Sequence, residues 1–245
     1  MKLLSIGNSF STDAHRFLHT LAVQNSLELD TANLFIGGCS LQTHWQNVCE
    51  DNAYYDYELN GNETEAKISI KSALDSQKWD VITLQQASAD SGIYSTYQPY
   101  LSSLAAFVRE HQPRAKLYFH QTWSYENGSE HPGFLNYERD SRRMFESIVS
   151  ASEKAAESIG ADLIRTGTVI QYLRENTKVF GYENGGISLC RDTFHLSETY
   201  GRYAAAATWL STLTGEKLTA KELDGMDIKL LEIIMQAISG GIKNA

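Results

Sequence analysis

An alternation limits most strongly what this chain can fold into. Short apolar runs take turns with longer segments whose apolar residues recur at helical spacing. The runs at 3–6, 29–36, 79–84, 115–120 and 161–165 read as five strands, the third carrying the β-branched stretch Val81-Ile82-Thr83. Between them, residues 13–23 place Ala14, Phe17, Leu18, Leu21 and Ala22 on one helical face, with Ser11, Thr12 and Asp13 as N-cap candidates. Leu101, Leu104, Ala105 and Val108 form a second face, and Phe145, Ile148, Val149, Ser152, Ala155, Ala156 and Ile159 a longer third. Tyr203, Ala204, Ala207 and Leu210 belong to a fourth. Near-continuous apolar strands separated by helices call for a parallel sheet covered on both faces. The expected class is therefore α/β: a three-layer α/β/α, flavodoxin-like domain with a parallel five-stranded sheet. In such folds the working loops gather at the carboxyl ends of the strands.

One region breaks the alternation. Tyr-Asp-Tyr-Glu-Leu, then Asn60-Gly61, then Lys-Ile-Ser-Ile is the pattern of a β-hairpin inserted at about 54–70, leading into a short helix near 72–74. The tail at about 227–239 reads as a last amphipathic helix. There is no internal repeat, and 245 residues suit a single domain over 1–245.

Composition excludes several classes. With 42 % hydrophobic and 21 % charged residues, disorder and fibrous folds are poor fits. The formal charge of −9 argues against a nucleic-acid partner. No apolar run approaches the ~20 residues of a membrane span. Cys39, Cys49 and Cys190 are too few for a disulfide framework, although one bridge among them stays open, and no Cys/His spacing suggests zinc. The N-terminus lacks a signal-peptide pattern, so the chain reads as cytoplasmic, or as periplasmic or secreted if a leader has been removed.

Three loops carry candidate chemistry. Gly7-Asn8-Ser9-Phe10-Ser11 follows the first strand and opens a helix, a turn that can project a serine hydroxyl beside free backbone N–H groups. The same residues also serve as an ordinary turn and cap. Asp192-Thr193-Phe194-His195 puts a carboxylate three residues before an imidazole, close enough to orient it. Gly37-Gly38 follows the second strand, where a glycine can bring its N–H close to a substrate oxygen. Cys190, near Asp192, is a weaker nucleophile candidate. His15 and His19 are four apart, the spacing of a helical metal pair, but an exposed pair explains them better. His44-Trp45 and Trp123 sit at the expected sheet edge, as candidates for a substrate cleft or for the core rim.

Together the three loops resemble the SGNH (GDSL-like) hydrolase superfamily, across nearly the whole chain. The pattern Gly-Asn-Ser-Phe-Ser, Gly-Gly-x-Ser-Leu, Leu-Gln-Gln-x-Ser and Asp-x-Phe-His-Leu-Ser resembles the DUF4886 branch more closely. The resemblance implies the SGNH hydrolase fold, a triad of Ser9, His195 and Asp192, and oxyanion donors at Ser9 and Gly38. One departure stands out. The superfamily's oxyanion asparagine after the third strand is missing from Leu84-Gln85-Gln86-Ala87-Ser88. Gln85 or Gln86 can supply the same amide, with Gln85 favoured, and Ser88 can offer a hydroxyl.

The expected activity is that of a serine esterase acting on a small acyl ester, acetyl in the first instance, carried by a small molecule or a carbohydrate. Asn8, His44, Trp45, Ser88 and Trp123 are candidate substrate contacts, and no cofactor or metal is called for. The alternatives are a degenerate glycan-binding module of the same fold and an acyltransferase.

Overall fold

The strand nearest the middle of the sheet is the first in the chain. In the computed structural model, which describes residues 1–241, β1 (Lys2–Gly7) lies between β2 (Asp30–Phe35) and β5 (Val81–Leu84). Outward from β5 follow β6 (Lys116–His120) and β7 (Asp162–Ile164), and all five strands are parallel. The inserted hairpin, β3 (Tyr55–Leu59) and β4 (Asn62–Ile68), does not stand apart. β3 pairs antiparallel with β2, which extends the sheet to seven strands in the order β4-β3-β2-β1-β5-β6-β7. The five-stranded expectation holds for the parallel part, and the insertion supplies the other two. β4 forms the outer edge, and five of its seven residues are exposed.

Alternate side chains of each strand enter opposite cores, as pleating requires. Leu3, Val81 and Tyr118 face one core; Leu4, Ile82, Leu84, Leu117 and Phe119 face the other. The first core is covered by α1 (Ser9–His15) and α2 (Leu18–Gln24), and by α7 (Thr166–Asn176), α8 (Tyr200–Thr214) and α9 (Ile228–Gly241). The second is covered by α3 (Leu41–Glu50), α4 (Ile70–Asp75) and α5 (Tyr100–His111). α6 (Ser141–Ser158) reaches both, with Met144 and Ile148 on one side and Ala151, Ala155 and Ala156 on the other. Burial of such side chains contributes roughly 1.5–3 kcal/mol each for the larger ones. Among the described residues no helix is long and apolar enough to cross a membrane.

The single helix expected over 13–23 is two. It starts earlier, at Ser9, and breaks between His15 and Leu18. The hairpin tip occupies the break: a Cβ on Gly61 would lie 2.7 Å from the carbonyl oxygens of both His15 and Arg16. Only glycine permits that approach, and Gly61 also takes the positive φ of 75° that the turn needs. α3 and α7 were not foreseen. α3 is capped by Ser40, whose side chain accepts the Thr43 N–H, and its apolar face is narrow and mixed with polar residues.

Candidate active site

Every loop singled out from the sequence reaches the carboxyl edge of the parallel strands. Asn8 caps α1: its Oδ1 accepts the Phe10 N–H at 3.1 Å, and Ser11 completes a capping box. That cap places Ser9 at the first position of the helix, half-buried, directly after β1.

The imidazole arrives on a different element. Cys190 and Leu196 form an isolated antiparallel bridge, so the chain between them is a small hairpin loop ahead of α8. In this loop Asp192 Oδ1 accepts the backbone N–H of His195 at 2.7 Å, and Oδ2 lies 2.7 Å from His195 Nδ1. Thr193 between them takes a positive φ of 71°, a costly conformation for a β-branched residue. The Glu126 N–H, donating to the Thr193 carbonyl at 2.8 Å, helps hold it. His195 Nε2 lies 2.9 Å from Ser9 Oγ.

Donor and acceptor roles follow. Burial pushes the Asp192 carboxyl up, but the hydrogen bonds from the His195 ring and backbone and the His195 charge outweigh it. The net pKa lies below the usual carboxylate range. An ionised Asp192 only accepts, so Nδ1 carries the His195 proton and Nε2 is free to accept from the Ser9 hydroxyl. The structure thus brings Ser9, His195 and Asp192 into one hydrogen-bonded chain.

The oxyanion side is less like the expectation. Among the described residues neither the backbone N–H of Ser9 nor that of Gly38 has a hydrogen-bond partner. Gly38 has a positive φ of 64° and open space around it. The two glutamines are engaged elsewhere. Gln86 Oε1 accepts the N–H groups of Leu41 and Ala87, both at 2.9 Å, and its amide donates to Thr96. Gln85 is 2 % exposed; its amide donates to Asn8 Oδ1 at 2.7 Å and its carbonyl faces His120 Nδ1 at 2.8 Å. Neither amide stands free at the surface as an oxyanion donor. Both are buried on different sides, Gln85 against Asn8 and His120 and Gln86 against Leu41 and Thr96, because helices and loops cover the sheet on both faces. Ser88 stays half-buried, its hydroxyl 2.7 Å from that of Tyr125.

The expected substrate contacts divide in the same way. Trp123 is fully buried, stacked on Phe10 at 4.1 Å, with its indole N–H donating to the Phe194 carbonyl. His44 is also buried, 2.8 Å from the Tyr55 hydroxyl, and burial pushes its pKa down to about 3. Asn8 is buried as the α1 cap, and Trp45 packs partly against the second core. The rings that flank His195 are Phe194, with centroids 4.2 Å apart, and Phe10, at 5.9 Å; His131 lies beyond Phe194, 5.0 Å from it. Burial, aided by the nearby His195, holds the His131 imidazole below its usual range. Its Nδ1 accepts the Gly133 N–H, so the neutral ring carries its proton on Nε2. No motif marked His131, which lies in the long irregular segment after β6.

The remaining candidates are structural. Cys190 is buried against the Arg174 guanidinium, and burial pushes its thiol up to about 12. All three cysteines are free. His15 is not an exposed partner of His19: it lies in the core, 2.7 Å from Ser5 Oγ, while His19, on α2, faces the carbonyl of Leu29 just before β2. Among the described residues no cluster of His, Cys, Asp or Glu is arranged to hold a metal.

Comparison with known proteins agrees with this architecture. A crystal structure of a DUF4886 family protein from Bacteroides uniformis superposes with a TM-score of 0.91 at 37 % identity, over 100 % of this chain and 95 % of that one. A protein from Slackia heliotrinireducens assigned to the SGNH hydrolases gives a TM-score of 0.59 at 21 % identity, over 87 % of this chain and 98 % of that one. An acetylxylan esterase from Geobacillus stearothermophilus gives 0.55 at 15 % identity, over 90 % and 97 %. No curated protein matches the chain. The fold is that of the SGNH, GDSL-like hydrolases. The chain itself belongs to the DUF4886 family, a domain of unknown function whose model matches residues 2–227.

Proposed function

We propose that this protein is a serine esterase with Ser9 as nucleophile, His195 as general base and acid, and Asp192 as the group that orients His195. The observation that carries the reading is the unbroken chain Ser9 Oγ, His195 Nε2, His195 Nδ1, Asp192 Oδ2, with links of 2.9 and 2.7 Å. Ser9 Oγ attacks the ester carbonyl while its proton passes to His195 Nε2. The tetrahedral oxyanion takes the backbone N–H groups of Ser9 and Gly38. His195 then protonates the departing alkoxide, and the ester C–O bond breaks. Water, deprotonated by His195, attacks the acyl-enzyme and releases the acid with Ser9 restored.

The substrate we favour is an acetyl ester on a carbohydrate. The triad opens on the surface: the His195 and Asp192 side chains are 21 % and 42 % exposed. A cavity of about 530 Å³ lined by Leu163, Arg165, Lys217 and Ile238 holds none of the triad residues. A shallow site suits a small acyl group on a large alcohol, and the acetylxylan esterase of the same fold acts on such an ester. A second reading, a glycan-binding module that does not cleave, draws on the engagement of both glutamine amides away from the oxyanion position.

Fluorophosphonate labelling followed by peptide mass spectrometry separates the two. An adduct on Ser9, lost in Ser9→Ala, supports the esterase. Folded protein that takes no label and hydrolyses no p-nitrophenyl acetate supports the binding module.

A further inference from the structure

Gln85 stands where the superfamily's oxyanion asparagine is missing, yet it points away from the surface. Its surroundings form a line of side chains beneath the nucleophile turn. The Trp209 indole nitrogen lies 3.1 Å from Thr166 Oγ1, which lies 3.0 Å from His120 Nε2. His120 Nδ1 lies 2.8 Å from Gln85 Oε1, and Gln85 Nε2 lies 2.7 Å from Asn8 Oδ1. Asn8 Nδ2 ends the line on the Cys39 carbonyl at 3.0 Å. Gln85, His120, Thr166, Trp209 and Asn8 are all at most 2 % exposed, so water does not substitute for any link.

Only one set of proton positions satisfies this line. The Cys39 carbonyl can only accept and the Phe10 N–H can only donate, which fixes the Asn8 amide: nitrogen toward Cys39, oxygen toward Phe10. Asn8 Oδ1 then requires the Gln85 nitrogen, which turns the Gln85 oxygen toward His120. His120 must carry its proton on Nδ1, leaving Nε2 to accept from Thr166. The Thr166 oxygen accepts from Trp209, whose indole can only donate. Burial keeps His120 neutral, its pKa pushed down to about 3, as the arrangement needs.

The Asn8 end lies between the two free backbone donors. Ser9, whose N–H is one, follows Asn8 directly, and Gly38, whose N–H is the other, precedes Cys39. We propose that Gln85 is a positioning residue that, through Asn8, sets the spacing of the Ser9 and Gly38 N–H groups, so that the glutamine replaces the asparagine's function without touching substrate. This rests on the esterase reading, because it presumes an oxyanion between those two groups.

Two measurements test it. The first needs no variant: ¹⁵N NMR of histidine-labelled protein at neutral pH resolves the His120 tautomer. The Nδ1-protonated ring is expected, and an Nε2-protonated ring overturns the relay whatever the activity. The second compares p-nitrophenyl acetate turnover of the unaltered chain, Gln85→Glu and Thr166→Val. Gln85→Glu sets a carboxylate oxygen against Asn8 Oδ1, and Thr166→Val cuts the line two links away. Both are expected to lower kcat, Gln85→Glu by about 10- to 100-fold, with KM unchanged, the range for misplaced groups. Folded variants with kcat unchanged, or with the loss confined to KM, overturn the positioning role. Absence of turnover and of Ser9 labelling in the unaltered chain instead sinks the esterase reading itself, and the positioning role with it.

Discussion

Asp13 and Leu196 join the two halves of the candidate site: the Asp13 carboxylate, one turn beyond Ser9 on α1, accepts the Leu196 backbone N–H at 2.9 Å. Its other oxygen takes Arg191 Nη1 at 2.9 Å and Arg202 Nε at 2.8 Å. A single buried carboxylate thus ties the helix that carries Ser9 to the loop that carries His195.

Removing it should therefore affect geometry more than binding. Asp13→Asn keeps the shape and one acceptor but leaves two guanidinium groups without their counter-charge. We expect kcat to fall by about 10- to 100-fold with KM little changed. Asp13→Ala should also destabilise by somewhat less than the roughly 3–5 kcal/mol of a broken buried pair, since Arg191 keeps a third of its side chain in solvent. Steady-state kinetics and urea unfolding check this, and wild-type kcat in folded Asp13→Asn would show that the loop holds its own position.

Asp192→Asn should cost less than the loss of a fully buried triad carboxylate. Such a loss is about 10⁴-fold where the acid is sequestered. Asp192 is 42 % exposed, so water can help orient the ring, and an asparagine oxygen can still cap the His195 N–H. The expected reduction in kcat is about 10²–10³-fold. A loss below about tenfold would mean that Asp192 does not orient His195.

Thr193→Gly tests the strain in the same loop. The left-handed conformation costs a β-branched residue roughly 1–2 kcal/mol, and glycine's greater freedom in the unfolded chain takes back about half. The variant should be more stable by about 0.5–1 kcal/mol in denaturant titration. A destabilised variant would show that the Thr193 side chain contributes more than its backbone conformation costs.

Acid should unfold this protein steeply. His15, His44 and His120 are buried, and burial pushes each pKa from 6.5 down to about 3. Between those values the unfolded chain holds a proton at each site that the folded chain lacks. The stabilising contribution is full above the unfolded pKa and is lost as pH falls through the window, at about 1.4 kcal/mol per pH unit for each histidine. From pH 7 to pH 5 the three together should remove about 5–6 kcal/mol. Urea titrations at the two pH values measure it, and a loss under about 2 kcal/mol would mean that protons reach these rings without unfolding.

The sequence displayed some of this clearly. Ser9, Asp192 and His195 were legible as candidates because a triad would demand these residue types at a strand end and within one turn of each other, and the three do meet. The parallel strands were legible because burial on both faces leaves a continuous apolar run. Gln85 and Gln86 were legible as polar residues at the right edge but not in direction, since the partners that bury them, Asn8 and His120 for one and Leu41 and Thr96 for the other, come from segments far off in the chain. Trp123 illustrates the same limit: an aromatic at the sheet edge is as well suited to stacking on Phe10 as to lining a cleft. α3 was hidden because its face against the second core includes His44 and Asn47, which are polar yet buried through their bonds to Tyr55. His131 and Asp13 were hidden for another reason, since they act through contacts between segments far apart in the chain.

The hairpin that widens the sheet also decides how the sheet ends. Without it, β2 would present its backbone row to solvent beside the Gly38 loop. With it, the free rim is β4, where Glu63, Glu65 and Lys67 alternate with Thr64 and Ala66 along an exposed strand. A second strand docking there would have to desolvate those charges, two of them of the sign the chain already carries in excess. The insertion therefore works as a hydrated border, keeping other chains from adding to the sheet two strands away from the Gly38 loop.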